Sequence, residues 1–193
     1  MNATTQSLVD HCLIATPSIK DPLFASSLVY MCEHNEQGSM GLVINHLASQ
    51  SLHSIFEQLN IECTDEDIRQ QPVYIGGPVS LEQGFVLHRS NSQTAIDEWQ
   101  KTTEVSDGIY LTMSADILQA IANNKGPKDY LVILGFSGWS SGQLESELQD
   151  NSWLTSSSSS DLLFHHNTDA KWQMAFDTLG FDMSMLSPVS GSA

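Results

Sequence analysis

Tyr130-Leu131-Val132-Ile133-Leu134-Gly135-Phe136 runs without a break into Ser137-Gly138-Trp139-Ser140-Ser141-Gly142-Gln143. The first part is apolar without alternation, which suits a strand covered on both faces. The glycines and serines that follow permit a tight turn from strand to helix, with Trp139 packed against it. Leu144 and Leu148, with Glu145 and Glu147 on the other sides, then mark a short helix. A covered strand delivering into a helix predicts a mixed sheet flanked by helices.

The pattern repeats outward from this segment. Short apolar runs bounded by turn residues predict strands at 12–15, 28–32, 42–44, 73–75, 85–87 and 109–112. Leu52, Ile55, Phe56 and Leu59 follow Ser51 with helical spacing, and Trp172, Ala175, Phe176 and Leu179 repeat it before Gly180, a residue suited to a left-handed helix end. Ile117, Leu118 and Ile121 follow Ser114, which is expected to cap that helix. Turns are expected at 33–41 and 76–83, an acidic turn or helix start at 64–67, a solvated loop at the serine run 156–160, and a surface tail at 187–193. The fold class is therefore α/β mixed (α+β). At 193 residues the chain is long enough for one domain, 1–193, and 40% hydrophobic residues give it a core.

Charge narrows the function classes. The chain carries 23 acidic residues against seven Lys and Arg, a formal net charge of -16. Lys20, Arg69, Arg89, Lys101, Lys125, Lys128 and Lys171 are scattered along it. Direct nucleic-acid contact is disfavoured, because that affinity comes from cations neutralising phosphates. Anionic membranes and acidic ligands are repelled at long range, although a local cationic pocket can override the field. No apolar run reaches a membrane span, and the first ten residues show no secretory pattern. Cys12, Cys32 and Cys63 lack C-x-x-C spacing and are odd in number, so neither a disulfide framework nor a zinc site is expected. A cytoplasmic location follows.

Three groups could carry chemistry. Ser137 on a sharp strand-to-helix turn invites a hydrolase reading, with Asp161 and His165 following in chain order, yet Trp139 stands where a nucleophile elbow needs glycine. His165-His166 and the isolated His11, His34, His46, His53 and His88 show no helical metal spacing, so a composite histidine site would need distant residues; no metal and no cofactor are expected. Gly76-Gly77-Pro78-Val79 is a rigid corner after a strand, and Asn45 ends another.

Ile14-Ala15-Thr16-Pro17, Glu33-His34, Gly41-Leu42-Val43-Ile44-Asn45, Gly76-Gly77-Pro78-Val79 and the segment from Gly138 to Leu148, with Trp153 beyond it, occur in an order that resembles the bacterial YqgE/AlgH family. The resemblance runs from about Leu13 to Leu186. It implies a bent, partly barrel-like sheet with helices outside, and brings a transcriptional-regulator label without catalytic residues to carry over. His46-Leu47 departs from the basic residue and proline usual after that asparagine.

The expected function is a binding or regulatory module for a small molecule or a protein partner, as monomer or homodimer. Asn45, Gly77, His88, Trp139, Gln143 and Glu147 are its expected ligand-binding cluster, because polar and glycine residues gather there at strand ends. A hydrolase using Ser137 or a composite histidine site is the second reading, and a transcriptional regulator the third.

Overall fold

The computed structural model describes residues 7–90 and 95–180; the tail at 187–193 lies outside them. In chain order the elements are β1 (His11–Ala15), β2 (Leu28–Asn35), β3 (Gly38–Val43), α1 (Leu52–Gln58), α2 (Glu66–Arg69), β4 (Val73–Ile75), β5 (Val79–Arg89), α3 (Ala95–Glu98), β6 (Thr102–Ser106), β7 (Ile109–Thr112), α4 (Asp116–Ala122), β8 (Tyr130–Ser140), α5 (Gln143–Gln149), β9 (Trp153–Ser157), α6 (Ser160–Leu163) and α7 (Thr168–Asp177). The strands form one nine-stranded sheet in the order β6-β7-β5-β8-β3-β2-β1-β9, with β4 also on β8. All the pairings are antiparallel except β4 with β8. The sheet curls into an open half-barrel.

Both faces of this sheet are covered, as the unbroken apolar runs predict. Ile14, Tyr30, Leu42, Leu87 and Ile133 point to an inner face that continues across both halves and is closed by Leu162, Leu163, Ala175 and Phe176 of α6 and α7. The alternate residues Val73, Val86 and Val132 meet α1 and α4 on the outer face of one half. Leu13, Val29, Met31 and Val43 meet Trp139, Trp153 and Leu144 of α5 on the outer face of the other.

The organising strand is β8. Val132 pairs with Val73 of β4 on one edge and with Val86 of β5 on the other, so the chain passes from one edge of β8 to the other within Gly76-Gly77-Pro78. The passage is backbone on backbone: a Cβ on Gly77 would lie 2.4 Å from the carbonyl carbon and oxygen of Phe136, and one on Gly135 would lie 2.8 Å from the oxygen of Gly77. Gly77 (φ 150°) and Gly135 (φ 69°) both occupy backbone conformations that favour glycine. Beyond the crossing β3 takes over the edge that β4 has left, through Gly41↔Ser137 to Gly38↔Ser140.

Several expectations change here. The expected turn at 137–143 is mostly strand, because pairing with β3 carries β8 on to Ser140; only Ser141 and Gly142 (φ 76°) turn. The strands at 102–106 and 153–157 were not expected, since each lies at a sheet edge and carries polar residues. Ser156 and Ser157 belong to β9, while Ser159 caps α6 by accepting from the N–H of Leu162 at 3.2 Å. Ser114 does not cap α4: its hydroxyl turns to the carbonyl of Gln100 (2.7 Å) and to Asp116, whose own carboxylate accepts the N–H of Ile117 (2.9 Å). Ser51 and Gly180 (φ 72°) stand as expected.

Candidate functional site

Trp139, Gln143 and Glu147 converge on one knot, joined by Trp153. Gln143 and Glu147 are one helical turn apart on α5, while Trp139 and Trp153 come from β8 and β9. The indole N–H of Trp139 donates to Glu147 Oε2 at 2.9 Å and that of Trp153 to the same oxygen at 2.7 Å; the Gln143 amide donates to Oε1 at 2.9 Å. The Gln143 carbonyl accepts both the N–H and the hydroxyl of Ser140 at 3.1 Å. The two indoles meet edge to face at 5.9 Å. Every strong group of the knot is thus used internally. Beside it the Leu8 N–H donates to His34 Nδ1 (2.8 Å), which leaves the ring proton on Nε2 to donate to Glu145 (2.9 Å). That bond holds the Glu145 carboxyl below its usual range.

The other expected cluster residues lie apart. Asn45 accepts from the Leu28 N–H (2.7 Å) and donates to the Ser26 carbonyl (2.9 Å), clamping the chain ahead of β2. Gly77 is buried in the crossing. His88, expected on a surface rim, is fully buried between Trp99 and Tyr110, with Nε2 against the Thr112 hydroxyl (2.9 Å) and Nδ1 unpartnered. Burial pushes its pKa down to about 4, so the ring is neutral. The cause of its misplacement is the pleat of β5, which turns it to the same outer face as Val86, where Trp99 covers it.

Ser137 is not at a nucleophile elbow. It is a fully buried strand residue whose hydroxyl donates to the Gly76 carbonyl at 2.9 Å, and among the described residues no imidazole is hydrogen-bonded to it. His165 and His166 stack on each other at 4.8 Å on the loop after α6. Among the described residues no three His, Cys, Asp or Glu side chains are placed to hold a metal ion.

A groove that sequence reasoning missed opens on the outer face. Between the pairs Val79↔Phe136 and Gly84↔Leu134 the intervening residues leave the ladder, and Leu81 and Glu82 from this bulge line one cavity with Ile55 of α1, Leu59 at its C-cap, Leu118 of α4 and the buried Val86 and Val132. The cavity holds about 360 Å³. Leu59, Leu81 and Met113, which line it, are 43%, 53% and 40% exposed and make up three of the six exposed large apolar side chains among the described residues. Glu82 is the one charged residue among the described residues that line it.

Fold and surface together define an acidic α/β protein built on a curled, open half-barrel, with an apolar groove on its outer face. The chain belongs to the AlgH-like family, whose model matches residues 12–184, in agreement with the resemblance read from the motifs. It is 45% identical over 181 residues to a UPF0301 protein of Thioalkalivibrio sulfidiphilus, covering 94% of each chain, and 44% identical over 187 residues to one of Chromobacterium violaceum, covering 97% of this chain and 98% of the other. The solution structure of the AlgH protein from Pseudomonas aeruginosa matches all of both chains at a TM-score of 0.77 and 39% identity. A crystal structure of a Corynebacterium diphtheriae protein, 17% identical, shares the fold at a TM-score of 0.72 over 92% of this chain and 90% of its own. Among the described residues no helix is long and apolar enough to cross a membrane.

Proposed function

We propose that this protein is a binding module whose groove between the β5 bulge, α1 and α4 takes a small, largely apolar molecule. The observation that carries the reading is the exposure of Leu59, Leu81 and Met113 around one cavity floored by Val86 and Val132. Amide and hydroxyl groups of Gln50, Gln58 and Ser114 at the rim offer orientation, and Glu82 selects for neutral or cationic ligands over anions. The Trp139–Glu147 knot, with its donors and acceptors satisfied, serves in this reading to hold α5 against the sheet.

Gly84 provides the test. A Cβ there meets nothing within 4 Å, so Gly84→Phe adds a ring at a lining position of the groove with no clash at its Cβ. The neutral dye N-phenyl-1-naphthylamine is expected to bind the native protein saturably, and to bind Gly84→Phe roughly tenfold more weakly at an unchanged melting temperature. Equal binding by both proteins sinks the reading. A protein partner captured by the native chain and lost with Gly84→Phe, without dye binding, transfers the groove to a macromolecular occupant.

A further inference from the structure

A second site, with a lining separate from that of the groove, lies where the chain enters β8. The chain has only seven Lys and Arg side chains, which look scattered in the sequence, yet Arg89, Lys125 and Lys128 line connected depressions around Asp129. The first depression, about 440 Å³, runs between the end of β5 and the turn from α4 into β8. The others continue from Asp129 to the stacked His165 and His166.

The commitments of the basic side chains differ. Lys20 donates to the Pro17 carbonyl, Arg69 is held by Glu66 and His53, and Lys171 is buried. Arg89 pairs with Asp129 at 3.0 Å and its N–H donates to the Asp129 carbonyl at 3.0 Å, so this ion pair is fixed by the ladder between β5 and β8. The ammonium groups of Lys125 and Lys128 make no hydrogen bond or ion pair among the described residues. Arg89, Lys125 and Lys128 share the first depression with Glu98 and Asp129, which leaves its lining one positive charge in excess within a chain of 23 acidic residues.

The backbone that carries them is rigid. Lys125 donates its N–H to the Ala120 carbonyl at 2.8 Å, a Cβ on Gly126 would lie 2.6 Å from the Ile121 side chain, and Pro127 fixes the next φ. The two lysines therefore flank a turn pinned to α4, which lowers the entropy lost when both engage one ligand. Glu98 lines the first depression and Asp161 the one that reaches His165 and His166, and both limit the net charge of the cleft. An anion held there must carry enough charge to engage both lysines.

We propose that this cleft binds a small multivalent oxyanion of the phosphate type, with Lys125 and Lys128 as its principal donors and the Arg89 fork, oriented by Asp129, as the third. The ammonium and guanidinium groups match phosphate oxygens through charge-assisted hydrogen bonds. The long-range field of the chain repels anions in proportion to their charge, so selectivity for higher charge comes from the short-range contacts with the two ammonium groups and the guanidinium.

The probe is sodium pyrophosphate, titrated into the ¹⁵N-labelled full chain at constant ionic strength with sodium chloride as the reference. Saturable shifts at Arg89, Lys125, Lys128 and Asp129 are expected. Lys125→Ala/Lys128→Ala is expected to weaken binding roughly tenfold or more, while Lys101→Ala binds as the native protein does and both keep its melting temperature. Shifts that only drift as they do with chloride overturn the proposal, as does an unchanged affinity in the double variant. So does binding of a DNA duplex without pyrophosphate saturation, which would make the patch a polyanion surface. Retention of dye binding in the double variant separates this result from the fate of the groove.

Discussion

The Ser137 hydroxyl lies 2.9 Å from the carbonyl oxygen of Gly76 and donates to it, tying β8 to the chain segment that crosses over it. The bond gives Ser137 a structural task at the point where neighbouring glycines make backbone contact possible. Ser137→Ala is expected to cost about 1–2 kcal/mol of stability by leaving the carbonyl without its donor, with no change in any trace ester hydrolysis. Gly77→Ala, whose new Cβ meets Phe136 at 2.4 Å with φ at 150°, is expected to cost roughly 3 kcal/mol or more. Urea denaturation of both variants checks the order; a Gly77→Ala protein as stable as the native one removes the crossing from this account.

Glu147 joins two strands to α5 through two indoles. Glu147→Ala leaves the N–H groups of Trp139 and Trp153 without acceptors in surroundings where those rings are 6% and 4% exposed. A loss of about 2–4 kcal/mol is expected, with Glu147→Gln recovering about half because its carbonyl still accepts. Tryptophan fluorescence during denaturation reports the change directly, and equal stability of the two variants argues against the shared acceptor.

Legibility in the sequence followed the range of the interactions involved. Apolar runs such as 130–134 announce burial on both faces locally, and helical spacing in α1 and α7 is likewise a property of neighbours in the chain. Trp139, Gln143 and Glu147 could be grouped for the same reason: a strand end and the next helical turns cannot lie far apart. His88 was misplaced because its pleat direction depends on how β5 pairs with β7 and β8, a long-range fact. The continuation of β8 through Gly138 and Ser140 was hidden because glycine and serine read as turn residues, and pairing with β3 overrode that preference. The groove was invisible for a further reason. It needs a bulge in β5, the end of α1 and the start of α4 together, and none of these signals a cavity alone.

His88 makes stability sensitive to acid. Its folded pKa of about 4 lies below the ordinary 6.5, so the unfolded chain takes up a proton first as pH falls. The stability linked to this ring is complete above pH 6.5 and is lost progressively down to about pH 4, by roughly 3 kcal/mol. His88→Phe keeps the packing against Trp99 and Tyr110, and Thr112 retains Thr102 as a hydroxyl partner at 2.8 Å. The variant is expected to unfold with a shallower acid dependence than the native chain. Half-buried His46, also held below its ordinary range by desolvation, supplies part of the slope that remains. Identical acid dependence of the two proteins contradicts the assignment.

Lys171 works at the other end of the pH scale. Its ammonium is fully buried in α7, donates to the carbonyls of Ile44 (3.0 Å) and Leu163 (2.9 Å), and sits 4.9 Å from the centre of the Tyr74 ring, with no carboxylate paired to it among the described residues. Two carbonyls and a ring face do not replace the water it has lost, and its pKa falls from the ordinary 10.5 to about 8. Between these values the unfolded chain holds a proton that the folded protein has released, so the cost of the buried charge is greatest below pH 8 and is relieved as pH rises to 10.5. The relief is roughly 3 kcal/mol. Buried Cys12, Cys32 and Tyr30 resist ionisation in the fold and oppose it, since the unfolded chain ionises them first. The native stability curve alone therefore mixes both signs, whereas the difference between native protein and Lys171→Met isolates the lysine. That difference is expected to move in favour of the native protein from pH 8 to 10.5, and the native lysine's ¹³Cε resonance to titrate with a midpoint near 8. A flat difference together with a midpoint at the ordinary lysine value would show that the charge is solvated, and would remove Lys171 from the core.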